Sequence, residues 1–207
     1  GRDGFYKGEI AQRLVDGVRE AGGIWSMEDL ANYKVIERQP LRTMYHGYEL
    51  VTAPPPSSGG IAIAEILNII GPFNVSKLSK PQRTHLIVEA MRRAYRDRAL
   101  YLGDPDFFDV PVEMLTDMNY AAGLRAGILY DKATPSSMIP GRENLPEGTD
   151  TSHFSIMDAE GNLVAATLTV NTPFGSKFVV SGTGFVLNNE MDDFSAKPGA
   201  PNDYGLI

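Results

Sequence analysis

The sequence contains no cysteine, which excludes disulfide bridges, thiolate metal sites and cysteine nucleophiles. Its three histidines are scattered along the chain without the spacing of a metal site, so we predict no metal and no other cofactor. Basic residues are also scarce, since 19 Lys and Arg stand against 26 Asp and Glu and give a formal net charge of −7. This charge argues against a phosphate backbone as a partner, and nucleic-acid binding is not expected.

Long apolar runs are missing as well, because no stretch reaches the ~18 residues that a membrane-spanning helix needs. The first ten residues have neither the basic flank nor the apolar core of a signal peptide, and the chain does not begin with methionine. We therefore expect an internal piece of a longer protein or a processed product. Its 207 residues, 43% of them hydrophobic, are enough to bury a substantial core.

Helical patterns dominate the first half of the chain. Apolar residues recur every three or four positions, in runs that begin after serine or proline and stop at glycine. The charged cluster over 92–98 is interpreted as a solvated helix face with local ion pairs. A strand is predicted over 46–53. The predicted helices cover residues 8–23, 26–33, 57–70 and 81–104.

The pattern changes after residue 130. Residues 131–150 are rich in Pro, Gly, Ser and Asn and have no sustained period, which predicts a loop. Loops longer than ~12–15 residues are uncommon in compact domains unless they are functional or mobile. Three apolar-rich runs follow and predict strands over 152–158, 162–171 and 181–194.

The loop meets the first of these strands in the stretch EGTDTSHFS, residues 147–155. A threonine hydroxyl is a weak nucleophile, but the α-amine of an N-terminal threonine, with a pKa of ~7.7–8.0, can take its proton. A cut between Asp150 and Thr151 would create that amine. The Thr151 hydroxyl could make this cut by attacking the Asp150 carbonyl, giving an ester that water hydrolyses. Residues 147–155 also fit an ordinary loop-to-strand junction, and this is the default interpretation of these residues alone.

Three longer stretches change this default. PPPSSGG at 54–60, TSHFSIMDAEGNLVAATLTVNTPFGS at 151–176 and LNNEMDDFSAKPG at 187–199 resemble the γ-glutamyltranspeptidase family of N-terminal-nucleophile hydrolases in content, order and spacing. The similarity runs from FYKGEIAQRLV near the start to PNDYGL near the end, so it covers essentially the whole chain.

This resemblance implies an α+β protein, built as the αββα sandwich of the N-terminal-nucleophile hydrolases and present here as a partial chain. It implies self-cleavage between Asp150 and Thr151. Residues 1–150 would form the mainly helical C-terminal part of a large subunit, and residues 151–207 the β-rich N-terminal part of a small subunit. Together they would make one incomplete domain. The oxyanion-hole glycines and the carboxylate-binding serines and arginine of the family have no counterpart in this stretch, so we expect the isolated piece to be inactive.

The resemblance also implies roles for individual side chains. Thr151 would be the nucleophile, and Thr169 would be the threonine whose hydroxyl meets it and supports its α-amine. Asn171 would bond the glutamyl group of the substrate. The acidic pair Glu190 and Asp193 would receive the α-ammonium of that group, which suits their charge, although the family places either Glu or Gln at the first of these positions.

The implied activity is transfer of a γ-glutamyl group from glutathione and similar compounds, through an ester on Thr151, to water or to the amine of an amino acid or dipeptide. The other partners would be the remaining segments of its own two subunits. The family likeness points to the periplasm, the cell surface or a secreted protein. Two alternatives stay open: a related amidase, such as a β-lactam acylase or polyglutamate depolymerase, and an uncleaved inactive precursor fragment.

The turn between the first two late strands offers a test that does not depend on the family. Gly161 supplies the positive φ of this turn, and a turn of two or four residues sets Thr151 opposite Val170. That register would send Thr169 and Asn171 to the other face. A turn with an odd number of residues brings Thr169 or Asn171 opposite Thr151 instead. We predict the odd register.

Overall fold

The computed structural model describes residues 1–139 and 151–193, and it contains both helices and strands, as predicted for an α+β protein. Asp150, assigned to the predicted cleavage site, lies outside the described residues. The helices are α1 (Arg2–Tyr6), α2 (Glu9–Glu20), α3 (Met27–Asn32), α4 (Gly59–Ile70), α5 (Lys80–Tyr101), α6 (Val112–Leu115) and α7 (Met118–Ala126). The strands are β1 (Leu41–Tyr45), β2 (Tyr48–Thr52), β3 (Ser152–Met157) and β4 (Leu163–Leu168).

The described residues separate into two units. One unit contains residues 1–36 and 151–193, and the other contains residues 37–139. The predicted subunit boundary between residues 150 and 151 concerns a covalent cut and stays a prediction. None of the helices in the described residues is both long enough and apolar enough to cross a membrane.

The helix α2 organises the core of the first unit. Its residues Ala11, Leu14, Val15 and Val18 recur at intervals of three, one and three positions, which places them on one face, and all four are buried. Leu14 and Val18 pack with Val180, which lies beyond β4. The surrounding partly buried residues are Ile10, Trp25, Leu30, Phe178, Phe185 and Leu187. The segment that precedes the predicted acidic pair, Glu190 and Asp193, is therefore packed against α2 through Val180.

Capping boxes fix the starts of α3 and α5. The Ser26 N–H donates to Asp29 Oδ2 at 2.7 Å, and the Asp29 N–H donates to Ser26 Oγ at 3.2 Å. At α5, the N–H and hydroxyl of Ser79 both donate to Gln82 Oε1, at 3.0 and 2.8 Å. These reciprocal bonds satisfy donors that a helix start leaves open, and both predicted helices are confirmed to within a few residues.

The second unit packs α4, α5 and α7 together, with the hairpin of β1 and β2 beside α4. Buried residues of its main cluster are Ile69, Ile70, Leu86, Ala90, Ala121 and Ile128. The predicted helix over 57–70 and strand over 46–53 are confirmed. In this unit β1, α6 and α7 were not predicted from the sequence, and α7 carries Gly123 within its apolar pattern.

The late strands were predicted only in part. β3 and β4 confirm the first two, but a strand over 181–194 is wrong for the residues described up to 193. An isolated bridge, Val179↔Val186, and a 3₁₀ turn over Glu190–Asp193 are found in this part of the structure. Gly182 and Gly184 have φ values of 77° and 80°, and these left-handed residues break the extended chain.

A buried ion network surrounds Glu89 on α5. Its carboxylate accepts hydrogen bonds from Arg93 Nη1 at 2.7 Å and Arg92 Nη1 at 2.8 Å. The hydroxyl and N–H of Thr134 donate to it at 2.6 and 3.0 Å. Burial by itself raises the pKa of Glu89, but the donors of Thr134, Arg93 and Arg92 outweigh burial and lower the pKa to about 2. The network fixes Thr134, at the start of the predicted loop, on α5.

A second buried cluster joins α4, α5 and α7. Asp97 accepts hydrogen bonds from the Tyr120 hydroxyl at 2.6 Å and from Arg96 at 2.9 Å, and Glu65 of α4 is also buried. Burial, followed by the charge of Asp97, raises the pKa of Glu65 to about 8. The predicted solvated face over 92–98 is therefore wrong for Asp97 and for the Arg93 described above, which are 0% and 4% exposed.

Candidate active site

The β3–β4 hairpin sets Thr151 against Thr169. Ser152 pairs with Leu168 at the open end of the hairpin, and residues 158–162 form the turn at the other end. Continued by one residue beyond the last pair, this register sets Thr151 across from Thr169. The five-residue turn confirms the predicted odd register, and the two threonine side chains share one face.

The turn owes its length to Asp158. The Asp158 Oδ1 atom accepts the N–H groups of Glu160 at 2.9 Å and Asn162 at 2.8 Å, which closes the chain around the carboxylate. Gly161 has a φ of 86°, as predicted. An aspartate that collects neighbouring N–H groups in this way stabilises a wider turn than a two-residue hairpin would have.

The two faces of the hairpin differ in chemistry. The face of Thr151 and Thr169 also carries His153 and Thr167, whose Nδ1 and Oγ1 atoms lie 2.8 Å apart. The opposite face is apolar and exposed, with the large side chains Phe154, Ile156, Val164 and Leu168. The predicted nucleophile therefore starts a polar strip, while the other face lacks a covering layer within the described residues.

Asn171 lies just beyond β4, where the chain bends. Its φ of 75° is in the left-handed region, which asparagine tolerates better than most residues. The Asn171 N–H donates to Thr169 Oγ1 at 2.9 Å, and its side-chain amide donates to the carbonyl of Asn189 at 2.9 Å. Asn171 is only 8% exposed. Two predicted site residues are thus directly linked, and Thr169 keeps its hydroxyl proton for another acceptor.

The predicted acidic pair lies on one short turn, Glu190–Asp193, named here the acid turn. Burial raises the pKa of Glu190, and the charge of Asp193 raises it further. The Oε1 atom of Glu190 is buried and has no hydrogen-bond partner among the described residues. A buried carboxylate oxygen without a donor is unusual, and a cationic donor would stabilise it. In the described part of the chain, no group of three or more acidic or histidine side chains could hold a metal ion.

Sequence reasoning missed Asn189, which joins these parts. The Asn189 N–H donates to the carbonyl of Val170 at 3.2 Å, and its Oδ1 accepts the N–H and the hydroxyl of Thr172, both at 3.1 Å. Its Nδ2 donates to Asp192 Oδ2 at 2.8 Å. The pair Asn188-Asn189 directly before the segment Glu190–Asp193 was the available signal, because short amide side chains at the end of an extended run bond to nearby backbone.

Gly175 allows the segment after Asn171 to approach the segment around Leu187 closely. It has a φ of 53°, and a Cβ atom there would lie 2.4 Å from the carbonyl oxygen of Leu187. The N–H of Ser176 donates to the same oxygen at 2.9 Å. Only glycine fits this position, and it lets the segment after Asn171 fold back against the chain that enters the acid turn.

Comparison with known protein families shows which family the chain belongs to. The profile of the family described as Gamma-glutamyltranspeptidase matches residues 1–206. The chain belongs to the γ-glutamyltranspeptidase family. The glutathione hydrolase proenzyme of Pseudomonas sp. (strain A14) is 49% identical over 209 residues, which cover 100% of this chain and 36% of that protein. The chain therefore spans about a third of the length of this curated relative.

Solved structures of related proteins agree with γ-glutamyltranspeptidase membership. The Helicobacter pylori γ-glutamyltranspeptidase matches with a TM-score of 0.65 and 40% identity, covering 72% of this chain and 44% of that chain. A cephalosporin acylase from Bacillus halodurans matches with a TM-score of 0.77 and 30% identity, covering 99% of this chain and 36% of that chain. Because an acylase shares this fold, the fold alone does not select the substrate.

In this member of the γ-glutamyltranspeptidase family, the structure connects the predicted site residues in steps. The hairpin register, continued by one residue, leads to Thr151 opposite Thr169. Thr169 is hydrogen-bonded to Asn171, and Asn171 is bonded to the residue that precedes Glu190. Asp193 lies at the end of the same turn as Glu190. The chemical roles of these five residues stay predictions.

Proposed function

We propose that this chain is part of a γ-glutamyl hydrolase and transferase acting on glutathione-type compounds. The hydrogen-bonded path from Thr169 through Asn171 to the acid turn carries this proposal. It connects a hydroxyl opposite the predicted nucleophile with two carboxylates suited to an α-ammonium. Relatives named as glutathione hydrolases support the substrate class.

The proposed maturation step cuts the bond between Asp150 and Thr151. The Thr151 oxygen adds to the Asp150 carbonyl, the peptide C–N bond breaks, and the nitrogen becomes the α-amine of Thr151 as it takes up the hydroxyl proton. Water then hydrolyses the ester, which restores the Thr151 hydroxyl and leaves Asp150 with a carboxylate. The proenzyme name of the curated relative supports such a step.

After the cut, the α-amine of Thr151 would act as the general base. It takes the hydroxyl proton while the Thr151 oxygen attacks the γ-carbonyl of the donor, and this proton then passes to the leaving amine as the C–N bond breaks. The γ-glutamyl group remains as an ester. Water or the amine of an amino acid or dipeptide attacks this ester and restores the hydroxyl. Thr169, across the hairpin, would orient the nucleophile with its remaining hydroxyl proton.

Recognition of the donor would depend on Asn171 and the acid turn. A γ-glutamyl donor carries an α-ammonium, and the unpartnered Oε1 atom of Glu190 together with Asp193 offers it charge-assisted hydrogen bonds. The bound ammonium would offset the burial and the repulsion that raise the pKa of Glu190.

The proposal includes the αββα sandwich as the architecture of the whole domain. The exposed apolar face of the β3–β4 hairpin supports it, because an apolar sheet face is stable only when another layer covers it. The remaining segments of the two subunits would supply that layer.

A β-lactam acylase is the second candidate, since the cephalosporin acylase of Bacillus halodurans matches 99% of this chain at 30% identity. A glutaryl amide is a suitable probe, because it differs from a γ-glutamyl amide only by lacking the α-ammonium that the acid turn would bind. Hydrolysis of γ-glutamyl-p-nitroanilide and glutaryl-p-nitroanilide by the matured full-length protein separates them. The proposed function requires a clear preference for the γ-glutamyl compound.

Maturation is tested with the full-length protein and the variants Thr151→Ala and Thr151→Ser. Mass spectrometry of the wild type should find a fragment that begins at Thr151, and Thr151→Ser should also produce one because it keeps a hydroxyl. Thr151→Ala should remain a single chain with the same circular dichroism spectrum and without γ-glutamyl hydrolysis. Cleavage at this bond in Thr151→Ala, or full activity of an uncut wild type, would contradict the proposal.

A further inference from the structure

Asn189 occupies the point where the two arms of the proposed donor site meet. One arm is the bend over 170–172, which carries Asn171, and the other is the acid turn. Asn189 directly precedes the acid turn, and its backbone N–H and carbonyl bond to Val170 and Asn171 in the first arm. Its side chain adds a contact to each arm.

The side chain of Asn189 uses both ends of its amide. The Oδ1 atom accepts the N–H and the hydroxyl of Thr172, each at 3.1 Å, and the Nδ2 atom donates to Asp192 at 2.8 Å. Few side chains offer an acceptor and a donor in this fixed geometry. The side-chain amide therefore adds to the backbone bonds that hold the Asn171 amide at its spacing from the carboxylates of the acid turn.

We infer that Asn189 is a positioning residue that sets this spacing and so selects donors that carry an α-ammonium. The inference rests on the proposed γ-glutamyl transfer. It assigns to Asn189 no contact with the substrate. Its effect passes through Asn171, Glu190 and Asp193, which would touch the glutamyl group.

The contacts of Asn189 predict which bonds a substitution removes. In Asn189→Ala the backbone bonds to Val170 and Asn171 remain, while both side-chain links are lost. The single proton of the Thr172 hydroxyl, shared between Asn189 Oδ1 and the carbonyl of Gly175, can then go to Gly175 at 3.0 Å, so the bend keeps part of its support. The arms should then shift relative to one another without unfolding of the hairpin, and small misplacements at a reacting site have large kinetic effects.

The experiment measures selectivity in the matured full-length protein. The ratio of kcat/KM for γ-glutamyl-p-nitroanilide to kcat/KM for glutaryl-p-nitroanilide reports recognition of the α-ammonium. Asn189→Ala should lower this ratio by about tenfold or more, mainly through a higher KM for the γ-glutamyl compound, because hydrogen bonds to charged groups contribute ~1.5–3 kcal/mol. The glutaryl compound should change by less than about threefold.

Two further variants sharpen the comparison. Thr172→Val removes the hydroxyl bonded to Asn189 and should lower the ratio in the same direction by a smaller factor. Asn162→Ala is the matched control, because Asn162 also donates from Nδ2 to an aspartate, at 2.7 Å, but lies in the distant turn of the hairpin. It should leave the ratio unchanged.

Equal losses on both substrates in Asn189→Ala would show a merely structural residue and overturn the inference, as would an unchanged ratio in both Asn189→Ala and Thr172→Val. A wild type without γ-glutamyl hydrolysis would overturn the proposed function, and the inference with it. An active wild type with an unchanged ratio in these variants would overturn the role of Asn189 alone.

Discussion

Two of the carboxylates with oxygen atoms removed from solvent, Glu89 and Glu190, have opposite surroundings among the described residues. Glu89, in the helical unit, accepts hydrogen bonds from two arginines and from Thr134, and its pKa falls to about 2. At the candidate active site, the Oε1 atom of Glu190 has no donor among the described residues, and the pKa of Glu190 is raised by burial and by Asp193.

We interpret this difference as one between a structural carboxylate and the proposed ligand of the donor's α-ammonium. Glu89 has its hydrogen-bonding capacity filled by the protein and has nothing left to offer a ligand, so its contribution is to hold the fold. Among the described residues, the Oε1 atom of Glu190 lacks the donor that a bound ammonium would supply, and burying a carboxylate oxygen without a donor costs stability. Substitutions should therefore affect stability at Glu89 and substrate recognition at Glu190.

Glu89→Ala should give the largest effect on stability. It leaves the buried Arg93 guanidinium without its carboxylate, and breaking a buried ion pair from one side costs about 3–5 kcal/mol. Urea denaturation of the full-length protein measures this loss. The control is Glu9→Ala, which removes an exposed helix pair with Arg13 and should cost less than about 1 kcal/mol. Similar losses for the two variants would mean that burial does not distinguish these ion pairs.

Glu65→Gln should have the next largest effect, and that effect depends on pH. The pKa of Glu65 rises from 4.5 to about 8 in the folded chain, so between these values the folded state binds more protons than the unfolded state. Stability therefore falls as pH rises through this window, by up to about 1.4 kcal/mol per pH unit. Glutamine cannot ionise beside Asp97, so the variant should lose this part of the pH dependence.

Thermal unfolding of the full-length protein between pH 5 and pH 9 tests this expectation. The wild type should lose stability toward pH 9 more steeply than Glu65→Gln, and the exposed control Glu49→Gln, in the hairpin of β1 and β2, should follow the wild type. Parallel curves for the wild type and Glu65→Gln would show that Glu65 does not retain its proton in the folded protein.

The same comparison shows what the sequence could reveal. The faces of α2, α4 and α5 follow from apolar spacing and caps, and the odd hairpin register was a prediction that the structure confirms. The burial of Arg93 was not predictable, because its partner Thr134 is 41 residues away in a segment without periodicity. Helical spacing gives the neighbours of a residue on its own helix but not the segment that covers it.

The candidate site was predictable to a similar extent. Its residues were predicted from the family resemblance, and the link between Thr169 and Asn171 follows once the chain bends after β4. The bend itself depends on left-handed backbone at Asn171 and on close contact at Gly175, and the acid turn replaces a predicted strand. Local patterns favour extended chain there, and contacts distant in sequence, such as those of Asn189, override them.

Glu190→Gln should have the smallest effect, and it tests how far the unpartnered oxygen itself matters. Glutamine keeps the shape of the side chain and removes both the repulsion by Asp193 and the cost of a buried charge, and the family resemblance indicates that this position accepts it. We expect kcat/KM for γ-glutamyl-p-nitroanilide to fall less than about tenfold. Stability should stay unchanged or rise by a few tenths of a kcal/mol, roughly the range of substitutions away from the core.

Asp193→Asn is the variant with which the loss of kcat/KM in Glu190→Gln is compared. If the α-ammonium depends mainly on Asp193, losing that charge should lower kcat/KM by about 10- to 150-fold, which corresponds to a hydrogen bond between charged groups. A larger loss in Glu190→Gln than in Asp193→Asn would reverse this order. Glu190 would then be the main ammonium ligand. Its Oε1 atom, which has no donor among the described residues, would mark the position that the ammonium of the substrate fills.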